Sequence, residues 1–168
     1  STLLLIEPEG IWPKAAASAQ VLIVNTESRH LSAREAARKV TSVARRAADL
    51  GATHFYKKTD STLRGNVGAE LEALRVATGR RVLAFLPAYP RLGRTTANGI
   101  LYVDGTPLAQ TAFASDPLEP AIESSIPTII GSQTPTACCV VHESGSMSLP
   151  DGASEAILVF DAKTDEDL

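Results

Sequence analysis

Residues 57–65, Lys57-Lys58-Thr59-Asp60-Ser61-Thr62-Leu63-Arg64-Gly65, pack two lysines, an aspartate, hydroxyl side chains and an arginine into one short run that ends in glycine. These types suit a small anionic, hydroxylated molecule. A guanidinium forks onto a carboxylate or phosphate, while a carboxylate and hydroxyls meet OH groups. Side chains alternate along an extended chain, so Lys58 and Asp60 share one side of it. Arg64, in the turn or the first helical residues, is within reach of the same crevice. An exposed loop arginine of this kind adds little to stability. The competing reading is a solvated turn whose charges cap the helix that follows.

The elements that must position this run are readable on both sides of it. His54, Phe55 and Tyr56 follow the turn at Gly51 and read as the end of a strand. Asn66, Val67, Leu71 and Leu74 then open a helix with i, i+4, i+7 spacing that ends near Gly79. In an open parallel sheet, ligands bind outside the carboxyl ends of strands, where helix N-termini also turn unpaired N–H groups outward. Two further polar loops leave strands at that edge. Residues 25–30 follow the apolar Val21–Val24, and residues 87–99 follow the strand from Arg81 to Leu86. In the second loop Arg91, Arg94 and Asn98 offer anion and hydroxyl recognition between stiffening prolines.

The rest of the chain supplies a frame. Thr2–Ile6 reads as a short buried strand and Trp12 as a lid over the core. Ser32 and Glu35 form a capping box, with Leu31 as staple, for a helix whose apolar positions are Ala36, Val40, Val43, Ala47 and Leu50. Arg34, Arg38, Arg45 and Arg46 lie on its other faces as a solvated basic stripe. Ile100–Val103 with Asp104-Gly105 reads as an inserted hairpin, Ser124–Ile130 as a short helical turn and 143–150 as a loop. Ala137–Val141 and Ala156–Phe160 are strands, and residues 161–168 look like the N-cap and first turn of another helix. The expected fold is α/β: an open, mostly parallel sheet with helices on both faces and an inserted β-hairpin.

With 168 residues the chain forms one domain, burying roughly 70% of its unfolded surface. A net charge of −3 argues against a nucleic-acid platform. No apolar run reaches a membrane span and no signal peptide precedes the fold, so no membrane partner is expected. The adjacent Cys138 and Cys139 read as small strand residues in a reducing cytoplasm, with no second pair to complete a metal site. A cytoplasmic location follows as the expectation.

Taken in order, Thr26-Glu27-Ser28-Arg29, the 57–65 run, and Pro87-Ala88-Tyr89-Pro90 with Gly93-Arg94-Thr95 resemble one family. It is the N-terminal, substrate-binding domain of the four-carbon acid sugar kinases. Tyr102-Val103-Asp104-Gly105, Asp116-Pro117 and Asp161-Ala162-Lys163-Thr164-Asp165 are similar to the same pattern, so the resemblance spans nearly the whole chain. It implies a kinase that moves phosphate from ATP to the terminal hydroxyl of threonate, erythronate or a 3-oxo relative. It further implies that Arg29, Lys58, Asp60, Ser61, Arg64 and Arg94 meet the acid sugar. Arg64 and Arg94 lead for the carboxylate, Asp60 accepts from hydroxyls, and Lys58 stabilises charge during transfer. No catalytic base and no metal ligand is assigned, His30 reading as a bystander.

The family opens with a strand and an Asp-Asp-x-Thr-Gly loop and continues into a glycine-rich C-terminal nucleotide-binding domain. Residues 1–168 match neither, and contain no G-x-x-x-x-G-K-[ST]. The expectation is therefore a fragment of the substrate-binding domain, with ATP and Mg held mainly by a C-terminal kinase domain of the same protein. The alternative is a non-catalytic module that binds a small carboxylate. An apolar edge should then show near Leu3–Ile6.

Overall fold

In the computed structural model, residues 1–141 and 153–168 are described; the loop expected over 143–150 lies outside them. Among the described residues the chain forms eight short strands and three α-helices. Thr2–Leu5 (β1) and Val21–Val24 (β2) pair in parallel, with Leu3 beside Leu22 and Leu5 beside Val24. Helix α1, Ala33–Asp49, carries both bonds of the Ser32–Glu35 capping box and buries Ala36, Val40, Ala44 and Ala47. Helix α2, Val67–Ala77, packs against it through Val40, Ala44, Ala73 and Leu74.

Val82–Phe85 (β3), Ala137–Val141 (β7) and Ala156–Phe160 (β8) form a second parallel ladder with β8 in the middle. Central position explains why Ala156–Val159 are all buried, the pattern of a strand covered on both faces. Between β3 and β7 the chain inserts an antiparallel unit: Arg94–Ala97 (β4), Ile100–Val103 (β5) and Thr106–Pro107 (β6). Asn98 and Gly99, both at positive φ, make the two-residue turn between β4 and β5. Helix α3, Ile126–Gly131, begins on Ser125 and lays Ile126 and Ile130 into the main core with Leu71, Leu101, Leu108, Ile157 and Val159.

The α/β class, the parallel strands and the inserted hairpin follow the sequence, with three corrections. Arg94–Ala97, expected within a loop, is a strand because it pairs with β5. His54–Tyr56, expected as a strand, runs without a ladder: residues 53–59 make no backbone–backbone hydrogen bond among the described residues. A strand needs a partner backbone, and neither row of this segment's groups meets one. The chain's parallel strands thus fall into two ladders rather than one sheet, and a groove of about 820 Å³ is lined by residues 53–61, Leu71, Leu74 and 82–89. Third, Arg46 is not on a solvated stripe. It stacks on Trp12 at 4.3 Å and donates to the carbonyls of Pro8 and Gly10, so Trp12 holds an arginine instead of roofing the core.

Leu4, Ile6, Val21 and Ile23 are exposed, Leu4 at 56%, so Thr2–Leu5 is not the buried strand its composition suggests and instead forms the apolar edge expected near Leu3–Ile6. No helix among the described residues is long and apolar enough to cross a membrane. Burial pushes the Cys138 thiol up to about 11, with Cys139 adding to the effect, which favours the neutral thiol on this strand.

Candidate functional site

The turn from Asp60 to Gly65 is built on one carboxylate. Asp60 Oδ2 accepts from the Thr62 hydroxyl at 2.7 Å, from the Thr62 and Arg64 backbone N–H groups at 3.3 Å, and from Arg64 Nε at 2.9 Å. Its other oxygen accepts from Arg29 Nη1 at 3.0 Å and Arg64 Nη2 at 3.3 Å. The same turn drives Leu63 into the core at φ 55, a conformation a branched residue adopts only under constraint. Asp60 thereby fixes the arginines from two loops and the entry to α2.

A second carboxylate closes the arrangement. Arg64 Nη1 donates to Asp116 Oδ2 at 2.8 Å, and the other oxygen of Asp116 accepts from the N–H groups of Leu118 and Glu119. Glu119 bonds His30 Nδ1 at 2.8 Å and lies 4.0 Å from Arg29 Nε. Burial pushes the Asp60 carboxyl up, but bonds from Arg64 and Thr62 and the guanidinium charge outweigh it and hold the group well below the usual carboxylate range. Backbone bonds from Glu119 and Leu118, then Arg64, lower Asp116.

That direction has a consequence for stability. The folded value of Asp60 lies below the unfolded one, so its contribution is complete above the ordinary carboxylate range and is lost as the pH falls through the folded value. Asp60→Asn is expected to flatten the acid limb of the stability curve below about pH 4. Melting temperatures from neutral pH to pH 2 check this. A mutant curve parallel to wild type throughout would remove Asp60 from the acid limb.

The crevice beside this network has a volume of about 620 Å³ and is lined by residues 25–30, 57–60, Arg64, Asn66, Val67 and Glu70. Arg29, Lys58, Asp60 and Arg64 of the expected set meet here. Ser61 is exposed and lines the neighbouring 820 Å³ groove instead. Arg94 does not line the crevice. Its Nη1 bonds the Leu92 carbonyl, its buried Nε has no hydrogen-bond partner among the described residues, and its guanidinium lies 5.7 Å from the Phe113 ring centre. Arg64 lies 5.8 Å from the same ring, which is the link between the two arginines.

Donor accounting separates the cations. Arg64 spends three of its five N–H groups on Asp60 and Asp116. Among the described residues, Arg29 spends one and has a side chain 44% exposed, and Lys58 bonds only the Thr59 carbonyl. Lys57, the other lysine of the run, is half-buried and pairs with the buried Glu70 at 2.6 Å. Lys57–Glu70 is absent from the sequence reading, although a lone glutamate in the apolar run Val67-Gly68-Ala69-Glu70-Leu71 was a signal for a buried partner.

Helix α2 does not offer its N-terminus to a ligand. Gln133 Oε1 accepts from the N–H groups of Gly68 and Ala69, and its Nε2 donates to the Gly65 carbonyl at 3.0 Å. The N-terminus of α1 is closed by its own capping box. Among the described residues no group of three or more His, Cys, Asp or Glu side chains is placed to hold a metal ion. The two helix N-termini at this end of the fold, the places where a phosphate would meet free N–H groups, are thus both occupied by protein side chains. At the crevice, the exposed cations Arg29 and Lys58 stand at the rim beside the Asp60 carboxylate that Arg64 holds.

Comparison with known proteins places this arrangement in a class. The family model described as "Sugar-binding N-terminal domain" matches residues 1–168, and the chain belongs to that family. A D-threonate kinase of Bordetella bronchiseptica is 39% identical over 155 residues, covering 92% of this chain and 38% of the relative. A D-erythronate kinase of Heliobacterium modesticaldum is 35% identical, covering 88% and 36%. The chain thus spans less than two fifths of the length of these two relatives. A solved domain from Bordetella bronchiseptica, a domain-swapped dimer with bound citrate, superposes with a TM-score of 0.80 at 36% identity, covering 99% of this chain and 43% of that one.

Proposed function

We propose that this chain is the acid-sugar-binding part of an ATP-dependent cytoplasmic kinase that phosphorylates a four-carbon acid sugar at its terminal hydroxyl. Threonate, erythronate and 3-oxo-tetronate are the candidate substrates. The observation that carries the reading is the Arg29–Asp60–Arg64–Asp116 network beside a 620 Å³ crevice, in a family whose relatives are kinases named for these acids. Arg29 and Lys58, the exposed cations at the rim, take the carboxylate, and Asp60, whose oxygens already accept from Arg29, Thr62 and Arg64, holds Arg29 in position for it. Arg64 holds Asp60 in place, Ser61 and Arg94 border the site, and citrate bound to a family member fits the same chemistry. Residues 1–168 act as one α/β domain, and ATP and Mg are held mainly by a C-terminal domain of the same protein.

Calorimetry with D-threonate, D-erythronate and the corresponding sugar alcohols tests this. Binding of at least one acid, with none of its alcohol, is expected. Equal binding of acid and alcohol would sink the carboxylate assignment, and binding of neither would sink the site. The chain by itself is expected to show no ATP turnover with either acid; turnover would overturn the two-domain reading. Full-length protein that binds the acid yet never phosphorylates it would favour the non-catalytic module.

A further inference from the structure

Asn66 stands immediately before α2, where asparagine ordinarily turns its side chain onto the N–H groups of its own helix. Here it makes no such bond. Its Nδ2 instead donates to the carbonyls of Ser28 at 3.1 Å, Arg29 at 3.2 Å and Leu31 at 2.8 Å. The cap α2 forgoes comes from Gln133. The remaining hydrogen bonds of residues 26–31 are either within the loop and its flanks or through side chains, as between Thr26 and Ser28, Leu31 and Ser28, or His30 and Glu119. Among the described residues beyond the loop and its flanks, Asn66 alone bonds its main chain.

We propose that Asn66 is a positioning residue of the acid-sugar site: it straps the 28–31 backbone so that the Arg29 side chain stands over Asp60. This rests on the function proposed above. Asparagine is suited to the task because a neutral amide gives two N–H donors to converging carbonyls. Serine and aspartate are equally good at the position before a helix, but serine has one shorter donor and an ionised aspartate has none and repels the carbonyls. A second observation agrees. The Gly65 backbone lies directly against Arg29, so a Cβ there would fall 2.9 Å from the Arg29 carbonyl oxygen.

Asn66→Ser and Asn66→Asp provide the test, since both keep a helix-capping residue and fold is expected to survive. Expected are melting temperatures within about 3 °C of wild type, faster amide exchange in residues 28–31, and affinity for D-threonate or D-erythronate lower by about tenfold or more. Wild-type exchange and wild-type affinity in both variants would overturn the proposal. So would an affinity loss matched by a large drop in melting temperature, which marks a merely structural role. Wild-type protein that binds neither acid would overturn the functional reading and the site role with it, while faster exchange in the variants would leave the strap itself standing.

Discussion

Arg64→Ala is expected to cost the chain both affinity for a four-carbon acid and stability, the second by about 1–3 kcal/mol. The guanidinium is 19% exposed and its removal strips Asp60 of two bonds and Asp116 of one. Asp60 then keeps Arg29 and Thr62, but a carboxylate with a 16%-exposed side chain is left short of the charge that offsets its desolvation. Arg64→Lys keeps a charge without the fork, so it should fall between wild type and alanine. Chemical denaturation measures the stability loss and calorimetry the affinity loss. A double-mutant cycle with Asp60→Asn should return a coupling of about 0.5–3 kcal/mol, as for residues in one network. Wild-type stability in Arg64→Ala would show that the Asp60–Arg64–Asp116 bridge carries no load.

This expectation differs from the one the sequence suggests, where Arg64 is an exposed loop arginine with little part in stability. The difference shows what local patterns can and cannot carry. The Ser32–Glu35 box, the helix it starts and the hairpin at 100–107 depend on contacts within a few residues, and each was legible. The Asp60–Arg64 pair, four residues apart, was half legible: the types were plain, the pairing was not. Arg29 with Asp60, Asn66 with the 28–31 loop, and Gln133 with the start of α2 join residues 31 to 68 positions apart. Nothing in their spacing announces them. Lys57 and Lys58 show a related limit. Alternation correctly sends them to opposite sides, but the buried Glu70 decides that Lys57 faces inward and Lys58 outward. The His54–Tyr56 strand failed because pairing is a property of two segments, and apolar composition describes one.

Gly65→Ala is expected to be the more damaging of two superficially equal substitutions. Gly51 and Gly65 both sit at positive φ, 92° and 80°. A Cβ on Gly51 meets nothing within 4 Å, so Gly51→Ala bears the backbone term alone, about 1 kcal/mol. A Cβ on Gly65 would lie 2.7 Å from Arg29 Cγ, 2.9 Å from the Arg29 carbonyl oxygen and 3.2 Å from its Cα. The side-chain carbon can swing away, but the main-chain atoms are tied to Asn66 on the next residue. Relief therefore requires the 28–31 loop and the 60–65 turn to part, which separates Arg29 from Asp60. Adding this overpacking to the backbone term gives about 2–4 kcal/mol, or a melting temperature lower by about 5–15 °C in a chain of this size. Affinity for D-threonate or D-erythronate should fall in Gly65→Ala and stay at the wild-type level in Gly51→Ala, since Gly51 lies at the far end of α1 from the crevice. Parallel melts and titrations of the two variants decide the point. If Gly65→Ala melts no lower than Gly51→Ala and binds as wild type does, the close seating of the Arg29 loop against the turn is wrong.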